Sequence, residues 1–178
     1  GVVAQQENYK KSGFRLAHRN IRFAGITQPA GAIAAHIVTL SSINFDQLAT
    51  YDRAFFPAQR DRFLNAWIHQ PHSAALGILE NGELLGYGVI RPCHVGYKIG
   101  PLNAENFAGA IALFNALVAQ VPVGSTIYLD IPEPNAQAIA LAQGYGMQPS
   151  FETARMYTGA FPSMDVQKIF GISSFELG

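Results

Sequence analysis

The sequence predicts an α/β fold of the α+β type, with a mixed, mostly antiparallel central sheet flanked by helices. The clearest local signal is an apolar stretch at Ala74–Glu80, followed by Asn81-Gly82 and a second apolar stretch at Glu83–Arg91. Asn-Gly between two such stretches is typical of a tight β-hairpin turn. The second signal is Val95–Gln120, in which a short strand precedes apolar residues at helical spacing. A chain of 178 residues can bury a core around these elements.

A strand and two helices are expected before the hairpin. The strand is predicted at Ala35–Leu40, and Asn44 caps the helix that follows, with Gln47 completing a capping-box pattern. Pro57 suits the first turn of the second helix, because proline lacks the N–H that this position leaves unpaired, and Pro71 ends that helix. Each helix carries an apolar stripe: Phe45, Leu48, Tyr51 and Phe55 in the first, and Phe63, Leu64, Trp67 and Ile68 in the second.

Strands and helices alternate after the hairpin. A strand at Val95–Gly100 meets a glycine-proline break, and a long helix follows with an apolar face of Phe107, Ala110, Ile111, Phe114, Leu117 and Val118. Thr126–Ile131 predicts a buried strand, Asn135 caps a short helix, and two last strands are expected near Ser150–Thr158. The order β-α-α-β-β-β-α-β-α-β-β contains both hairpins and a β-α-β crossover, which predicts the mixed sheet.

The first 25 residues differ from the start of an ordinary domain. Tyr9–Phe14 has the pattern of a helix end with Gly13 as its C-cap, and the strand Phe14–Phe23 follows. Because the pattern shows the end of a helix without its beginning, it suggests that these residues are the last part of a larger structure. Gly25–Gly31 is rich in glycine, proline and alanine, and it predicts a linker.

Composition and charge exclude several kinds of partner. The formal net charge is zero and the basic residues do not cluster, so nucleic acid is not expected to bind. No apolar run is long enough to span a membrane, and the single cysteine, Cys93, fits a reducing cytoplasm. The five histidines show no spacing typical of a metal site, so no metal is expected.

Several residues are candidates for chemistry on their own pattern. The break between the strand Val95–Gly100 and its helix leaves free backbone N–H groups, which suit a phosphate. Asp130 is a carboxylate in an apolar strand and needs either a partner or a role. Asn135 is most simply a helix cap, and Gly109 could serve either a phosphate loop or close packing. Cys93 lies beside His94, but neighbours on a strand point to opposite faces, which disfavours a nucleophile pair.

The element order and several strings resemble the GNAT superfamily of acetyl-CoA-dependent N-acetyltransferases. The strings are FPAQRDRFLNAWIHQP, GYKIGPLNAEN, ARMYTG and IFGISSFELG, and they look like the carboxyl-terminal half of two-domain GNAT proteins. Tyr9–Phe14 resembles the closing motif of a preceding GNAT domain. The resemblance implies a remnant of that domain at 1–25, a linker at 26–32, a GNAT-like domain at 33–160, and a tail at 161–178 packed on it.

The resemblance also implies a site. In this family acetyl-CoA lies in a V between the strands that correspond to Val95–Gly100 and Thr126–Ile131, and a glycine-containing loop holds its pyrophosphate. The cofactor-binding positions expected from the match are Ile99, Gly100, Leu102, Ala108, Gly109, Ala110 and Asn135. Asp130 would be the general base, with Glu133 and Glu83 as weaker candidates, and Tyr145 the acid that protonates the leaving thiolate.

Three functions follow from the resemblance. The first is transfer of an acetyl group from acetyl-CoA to an amine of a small molecule or a protein. The second is a non-catalytic GNAT-like module for dimerisation or regulation, which two departures from the motifs favour: Ile111 replaces a small loop residue, and Ala142 takes the usual tyrosine position. The third is an acyl-CoA sensor without turnover. A homodimer is also expected if the strand Phe14–Phe23 pairs with another chain.

Overall fold

The structure is a computed structural model that describes residues 1–29, 31, 33–34 and 36–176. Its α-helices are α1 (Gln6–Lys11), α2 (Phe45–Asp52), α3 (Asp61–Ile68), α4 (Phe107–Val118) and α5 (Ala136–Gly144). Its strands are β1 (Arg15–Ile26), β2 (Ile37–Thr39), β3 (Ala74–Glu80), β4 (Glu83–Pro92), β5 (Tyr97–Ala104), β6 (Thr126–Pro132), β7 (Gln148–Tyr157) and β8 (Ile169–Gly171). From β2 to β7 this is the predicted element order.

These strands form one mixed sheet in the order β2-β3-β4-β5-β6-β1-β7, and β8 pairs with β5. Only β5 and β6 pair in parallel within the described part of the chain. The helix α4 connects these two strands, which is the crossover that a parallel pair requires. The predicted mixed, mostly antiparallel sheet is therefore confirmed.

The two largest apolar clusters of the described residues lie on opposite faces of the sheet. One contains buried residues of α4 and α5 packed on the central strands, and the other contains buried residues of α2 and α3 packed on β4. Side chains along β6 alternate between the two faces of the sheet. Ile127, Leu129 and Ile131 all belong to the core with α4 and α5. Asp130, which lies between two of them, therefore points to the opposite face.

The hairpin prediction is confirmed in its bounds and its turn. β3 ends at Glu80 and β4 begins at Glu83, and the two turn residues have positive φ, 50° at Asn81 and 83° at Gly82. Positive φ at both positions defines a type I′ turn, which matches the twist of the two strands.

The N-terminal strand lies inside the sheet. The helix α1 ends in a Schellman motif, in which Phe14 N donates to Tyr9 O and Gly13 N to Lys10 O, as the glycine pattern predicts. β1 then pairs with β6 on one side and with β7 on the other. Because both of its edges are used within this chain, β1 is not free to pair with a second copy. The homodimer and the division of the chain into domains stay predictions.

The second helix begins later than predicted. α3 starts at Asp61 and not at Pro57, and residues 53–60 between α2 and α3 are not helical. The guanidinium of Arg60 donates to both carboxylate oxygens of Asp52, each at 2.7 Å, and lies 4.2 Å over the ring of Phe56. This buried ion pair holds the connection in a non-helical conformation.

The caps of the other helices are as predicted, with one difference. Asn44 caps α2 by accepting from Asp46 N at 2.8 Å. Gln47, however, does not complete a capping box, because its side-chain amide donates to Gly82 O at 2.7 Å and so connects α2 to the hairpin turn. The strand predicted at Ala35–Leu40 is shorter, Ile37–Thr39, and Ala35 lies outside the described residues, as do Ala30 and Ala32 of the predicted linker.

The predicted break at Gly100-Pro101 is wrong, since β5 continues through it to Ala104. Ile90 pairs with Ile99 and Gly88 with Leu102, so two residues of β5 lie opposite one of β4. This bulge accommodates a proline without a missing hydrogen bond in the ladder.

The end of the chain also differs from expectation. Residues 148–157 form one strand, β7, where two were predicted. The last strand, β8, lies in the stretch that showed low periodicity, and residues 177–178 are outside the described part.

Candidate functional site

The strands β5 and β6 pair over only three residues before they separate. Tyr97–Ile99 lies opposite Ile127–Leu129. Beyond this pairing β5 runs on to Ala104 and β6 to Pro132, and a wedge opens between them toward their carboxyl ends. We call this wedge the cleft; it is where the resemblance places acetyl-CoA.

The C-terminal segment of the chain lies in the cleft. β8 pairs antiparallel with β5, with Gly171 opposite Leu102. On the other side, the N–H of Ile172 donates to the carbonyl oxygen of Asp130 on β6 at 2.9 Å. The segment 166–176 therefore connects the two separated strands through hydrogen bonds to both. From here on, "the tail" means this segment, which is shorter than the tail predicted at 161–178.

Two glycines allow the tail to approach this closely. A Cβ at Gly100 would overlap the carbonyl oxygen of Ile172 and lie 2.8 Å from that of Ser173. A Cβ at Gly171 would lie 2.6 Å from a methyl carbon of Leu129. Real Cβ atoms do not make such contacts with backbone oxygens, so glycine at position 100 is a requirement of the filled cleft, whereas at Gly171 the methyl group of Leu129 could move aside.

Asn135 fixes the start of the tail while it caps α5. Its Oδ1 accepts from Ala138 N at 3.0 Å, which confirms the predicted cap. Its Nδ2 donates to the carbonyl oxygens of Gln167 and Ile169, each at 2.9 Å, and of Val166 at 3.3 Å. The side chain expected to contact CoA is thus engaged with the tail, in a fully buried position.

Side chains of the tail enter the core and pair with charges at the start of α4. Phe170 is fully buried and stacks on Phe107 with ring centroids 6.4 Å apart. Lys168 lies 2.7 Å from a carboxylate oxygen of Glu105, and this partner raises the pKa of the lysine. The tail is therefore part of the packed interior as well as of the sheet.

Asp130, the candidate base, is fully buried with both oxygens in ion pairs. Arg22 donates to them from Nε at 2.7 Å and from Nη2 at 2.9 Å, and the ammonium of Lys98 donates to Oδ2. Burial lowers the pKa of Lys98, and Asp130 opposes that shift. Phe175 of the tail covers this group, with its ring centroid 4.5 Å from the Arg22 guanidinium. In this geometry the carboxylate stabilises one buried cation, Lys98, and one half-buried cation, Arg22.

Tyr145, the candidate acid, lies elsewhere. Its hydroxyl donates to Asn115 Oδ1 at 2.6 Å, and its ring packs on Phe114 at 4.5 Å between centroids. Asn115 is eight residues into α4, about 12 Å from the start of that helix. Tyr145 packs against the core on the face opposite to Asp130. The structure does not bring the two predicted catalytic residues together.

One of the free backbone donors at the start of α4 is already used by a side chain. Asn106 accepts from Gly109 N at 2.9 Å, which satisfies one of the N–H groups that a phosphate would need. The carboxylates of Glu80 and Glu105 line the same surface pocket as Ala108 and Gly109. Glu80 adds a negative charge that opposes the binding of a diphosphate there, whereas the charge of Glu105 is offset by its ion pair with Lys168.

The other predicted cofactor positions serve packing. The side chains of Ile99, Leu102 and Ala110 are fully buried in the core with α4 and α5, and Ile111 packs against the same core. Gly100 contacts the tail.

The weaker candidates have ordinary partners. Glu133 pairs with Arg19, and this hydrogen bond lowers the pKa of the glutamate. Glu83 lines an open groove beside α2. The thiol of Cys93 donates to the carbonyl oxygen of Val95 at 3.1 Å.

Sequence reasoning missed the tail as the occupant of the cleft. The signal was the string IFGI at 169–172, a short apolar run with a central glycine, which is compatible with a buried strand. The strand β8 within it has only three residues and is far from β5 in the sequence, so the sequence does not reveal that the two strands pair.

The fold and the divided sheet define a class of protein. The acetyltransferase (GNAT) domain profile matches residues 48–171, which is well over half of the chain. The chain therefore belongs to the GNAT acetyltransferase family. It is 31% identical over 178 residues to a holothin acyltransferase from Pseudoalteromonas sp. (strain SANK 73390), covering 100% of this chain and 60% of that protein.

Solved structures agree on the fold. A protein described as a putative acetyltransferase from Pyrococcus horikoshii superposes with a TM-score of 0.80 at 23% identity, over 100% of this chain and 58% of its own length. A GNAT-family protein from Novosphingobium aromaticivorans superposes with a TM-score of 0.59 at 17% identity. This match covers 81% of this chain and 65% of that protein. The chain thus spans about three fifths of the length of the first two relatives.

Two further properties concern only the described residues. No group of three or more His, Cys, Asp or Glu side chains there is arranged to hold a metal ion. None of the described helices combines the length and apolar character needed to cross a bilayer.

Proposed function

We propose that this chain is a closed, non-catalytic GNAT module of a larger acyltransferase, in which it supports or regulates a catalytic domain. The observation that carries the proposal is the tail, which occupies the cleft between β5 and β6. A ligand in that cleft would need the backbone groups of β5 beyond Ile99, and β8 already pairs with them at Leu102 and Asn103.

Release of the tail from the cleft would cost a large free energy, which supports a cleft that stays closed. Ile169, Phe170 and Ile172 are each at least nine-tenths buried. Burying three such side chains contributes about 5–9 kcal/mol, before any hydrogen bond is counted. A ligand of micromolar affinity contributes about 8 kcal/mol. A ligand shifts the equilibrium between the closed and open cleft only by the difference in its affinity for the two states. Most of the binding free energy of an ordinary cofactor would therefore be needed to displace the tail.

The activity of the larger protein is a proposal of its own. Its support is the family and the name of the acyltransferase relative, of which this chain covers only part. We propose acetyl-CoA as the donor and an amine of a small molecule or protein as the acceptor, with the chemistry carried out in a second GNAT cleft. The cytoplasm, where acetyl-CoA and reduced thiols such as that of Cys93 coexist, is the proposed location.

Isothermal titration of this chain with acetyl-CoA tests the closed cleft. No binding is expected up to millimolar ligand, while the same sample shows cooperative thermal unfolding that proves it folded. Saturable 1:1 binding at micromolar ligand would contradict the proposal.

A second candidate function is an acetyltransferase whose tail leaves the cleft when acetyl-CoA binds. The observation in its favour is that Asp130 and Lys98 lie directly beneath Phe175, so that departure of the tail would uncover a carboxylate and an ammonium. Titration combined with a thiol-release assay on a panel of amines separates the two functions. Turnover by this chain that is lost in Asp130→Asn would establish the second.

A further inference from the structure

The loop between α2 and α3, residues 53–60, packs on the tail from the side of the sheet where these two helices lie. We call it the covering loop. Its Phe55 is 5% exposed and forms one buried cluster with Ile169 and Ile172 of the tail. Phe170, the neighbour of Ile169, points to the other face of the sheet and belongs to the core with α4 and α5. The tail is therefore packed on both faces, and its side chains on one of them leave the cleft only if the covering loop releases them.

A buried ion pair holds the two ends of the covering loop together. Asp52, the last residue of α2, accepts from Nε and Nη2 of Arg60, each at 2.7 Å. The two side chains are 3% and 11% exposed. A bidentate pair of this kind fixes the geometry of its partners as well as neutralising their charges. The loop thus has a closed neck.

The same ion pair is bonded to the sheet on one side and to the tail on the other. Tyr87 on β4 is fully buried, and its hydroxyl donates to Oδ1 of Asp52. Nη1 of Arg60 donates to the hydroxyl oxygen of Ser173 at 3.3 Å, and that serine is only 2% exposed. Arg60 is therefore the residue through which the covering loop, the sheet and the tail are connected.

We infer, on the basis of the closed cleft proposed above, that the covering loop is a lid over the tail and that the pair of Asp52 with Arg60 is its clasp. With the clasp intact, the loop stays on the tail, and the tail leaves the cleft only when the whole chain unfolds. Without the clasp, the loop gains conformational freedom, and the loop and the tail open together while the strands remain folded. The connection from α2 to α3 therefore controls whether the cleft opens.

A variant without the clasp tests the lid. Substitution of Arg60 alone leaves the carboxylate of Asp52 buried and unpaired, which destabilises the whole chain. In the variant Asp52→Leu/Arg60→Met/Tyr87→Phe, apolar side chains of similar size replace the entire polar group. Replacing a buried ion pair in this way is often neutral for stability, so we expect this variant to fold.

Hydrogen exchange then shows which parts open. Phe56 N donates to Asp52 O in the covering loop, and Ile172 N donates to Asp130 O in the cleft, so these two amides report on the lid and on the tail. In the variant, both should lose protection to the same extent and exchange at least about tenfold faster than the amides of the hairpin β3–β4, after correction for intrinsic rates. Protection of Ile172 equal to that of the hairpin, or loss of protection at Phe56 alone, would overturn the lid.

Arg53→Gln is the matched control. Arg53 lies in the same loop and its guanidinium is 3.8 Å from a carboxylate oxygen of Asp61, but the two side chains are 53% and 34% exposed. Because exposed pairs contribute little, this substitution should leave both amides as protected as in the unaltered chain, and an effect equal to that of the clasp variant would overturn the assignment of the clasp. Titration of the unaltered chain with acetyl-CoA tests the closed cleft separately, so a failure of the lid is distinguished from a failure of the proposed function.

Discussion

At the scale of single residues, Asn135 has two roles that one substitution can separate. Its Oδ1 caps α5, and its Nδ2 donates to three carbonyl oxygens of the tail. Asn135→Asp keeps an oxygen for the cap but replaces the donor with a negatively charged acceptor that faces those carbonyls. We expect a loss of about 1–3 kcal/mol or more in the free energy of unfolding, measured by chemical denaturation.

Asn106→Asp is the control for that prediction. Asn106 caps α4 through Oδ1 in the same way, but its side-chain nitrogen donates to no residue among those described. An aspartate there keeps the cap and suits the positive end of the helix, while the nearby Glu80 and Glu105 offset that gain, so stability should change by less than about 1 kcal/mol. If both substitutions had the same effect, the hydrogen bonds from Asn135 to the tail would not be what matters.

His18 predicts a pH dependence of stability. Burial and the charge of Arg155 lower its pKa in the folded chain below the usual 6.5. The unfolded state therefore binds more protons between that lowered value and about 6.5, so stability falls as the pH drops through this window. Thermal unfolding followed from pH 7 to 5 should show this loss.

Substitution of His18 separates its titration from that of other groups. His18→Gln should flatten this part of the stability profile, because the residue that titrates is gone. His94→Gln, at an exposed position, serves as the control and should retain the slope. A slope that survives in His18→Gln would assign the pH dependence to another residue.

At the scale of elements, the position of β8 depends on one missing side chain in β5. A Cβ at Gly100 would overlap the backbone oxygen of Ile172, which cannot rotate away as a side chain could. Gly100→Ala should therefore displace the tail and cost about 1–3 kcal/mol by chemical denaturation. Gly144→Ala is the control, because a Cβ there meets nothing within 4 Å. Equal stability of the two variants would show that the tail adjusts freely.

The elements also show what the sequence can predict. The hairpin at Asn81-Gly82 and the caps at Asn44 and Asn135 are local, since turn and cap chemistry is contained within a few residues. The late start of α3 was missed because it depends on the pairing of Arg60 with Asp52. Contacts that depend on the folded chain leave no pattern in a short window.

The candidate site was predictable only in outline, for the same reason. The strands that form the cleft and the position of Asp130 on one of them followed from the element order and the resemblance. The tail in the cleft and the partners of Asp130 did not, since Arg22 and Lys98 come from distant strands. The position of β1 between β6 and β7 likewise depends on pairing between residues 100 or more positions apart.

At the scale of the whole molecule, the two ends of the chain complete the GNAT sheet. β1 fills the position between β6 and β7, and the tail fills the cleft between β5 and β6. Both ends therefore contribute to one cooperative structure. A module of this kind is suited to a scaffold or regulatory role beside a catalytic domain.

Hydrogen exchange at the tail tests this account most directly. The amide of Ile172 donates to Asp130 O at the centre of the filled cleft. If the tail is an integral part of the fold, this amide should exchange only through global unfolding, as core strands do, and acetyl-CoA should leave its rate unchanged. Exchange at the rate of an exposed peptide, or loss of protection when acetyl-CoA is added, would contradict the closed cleft.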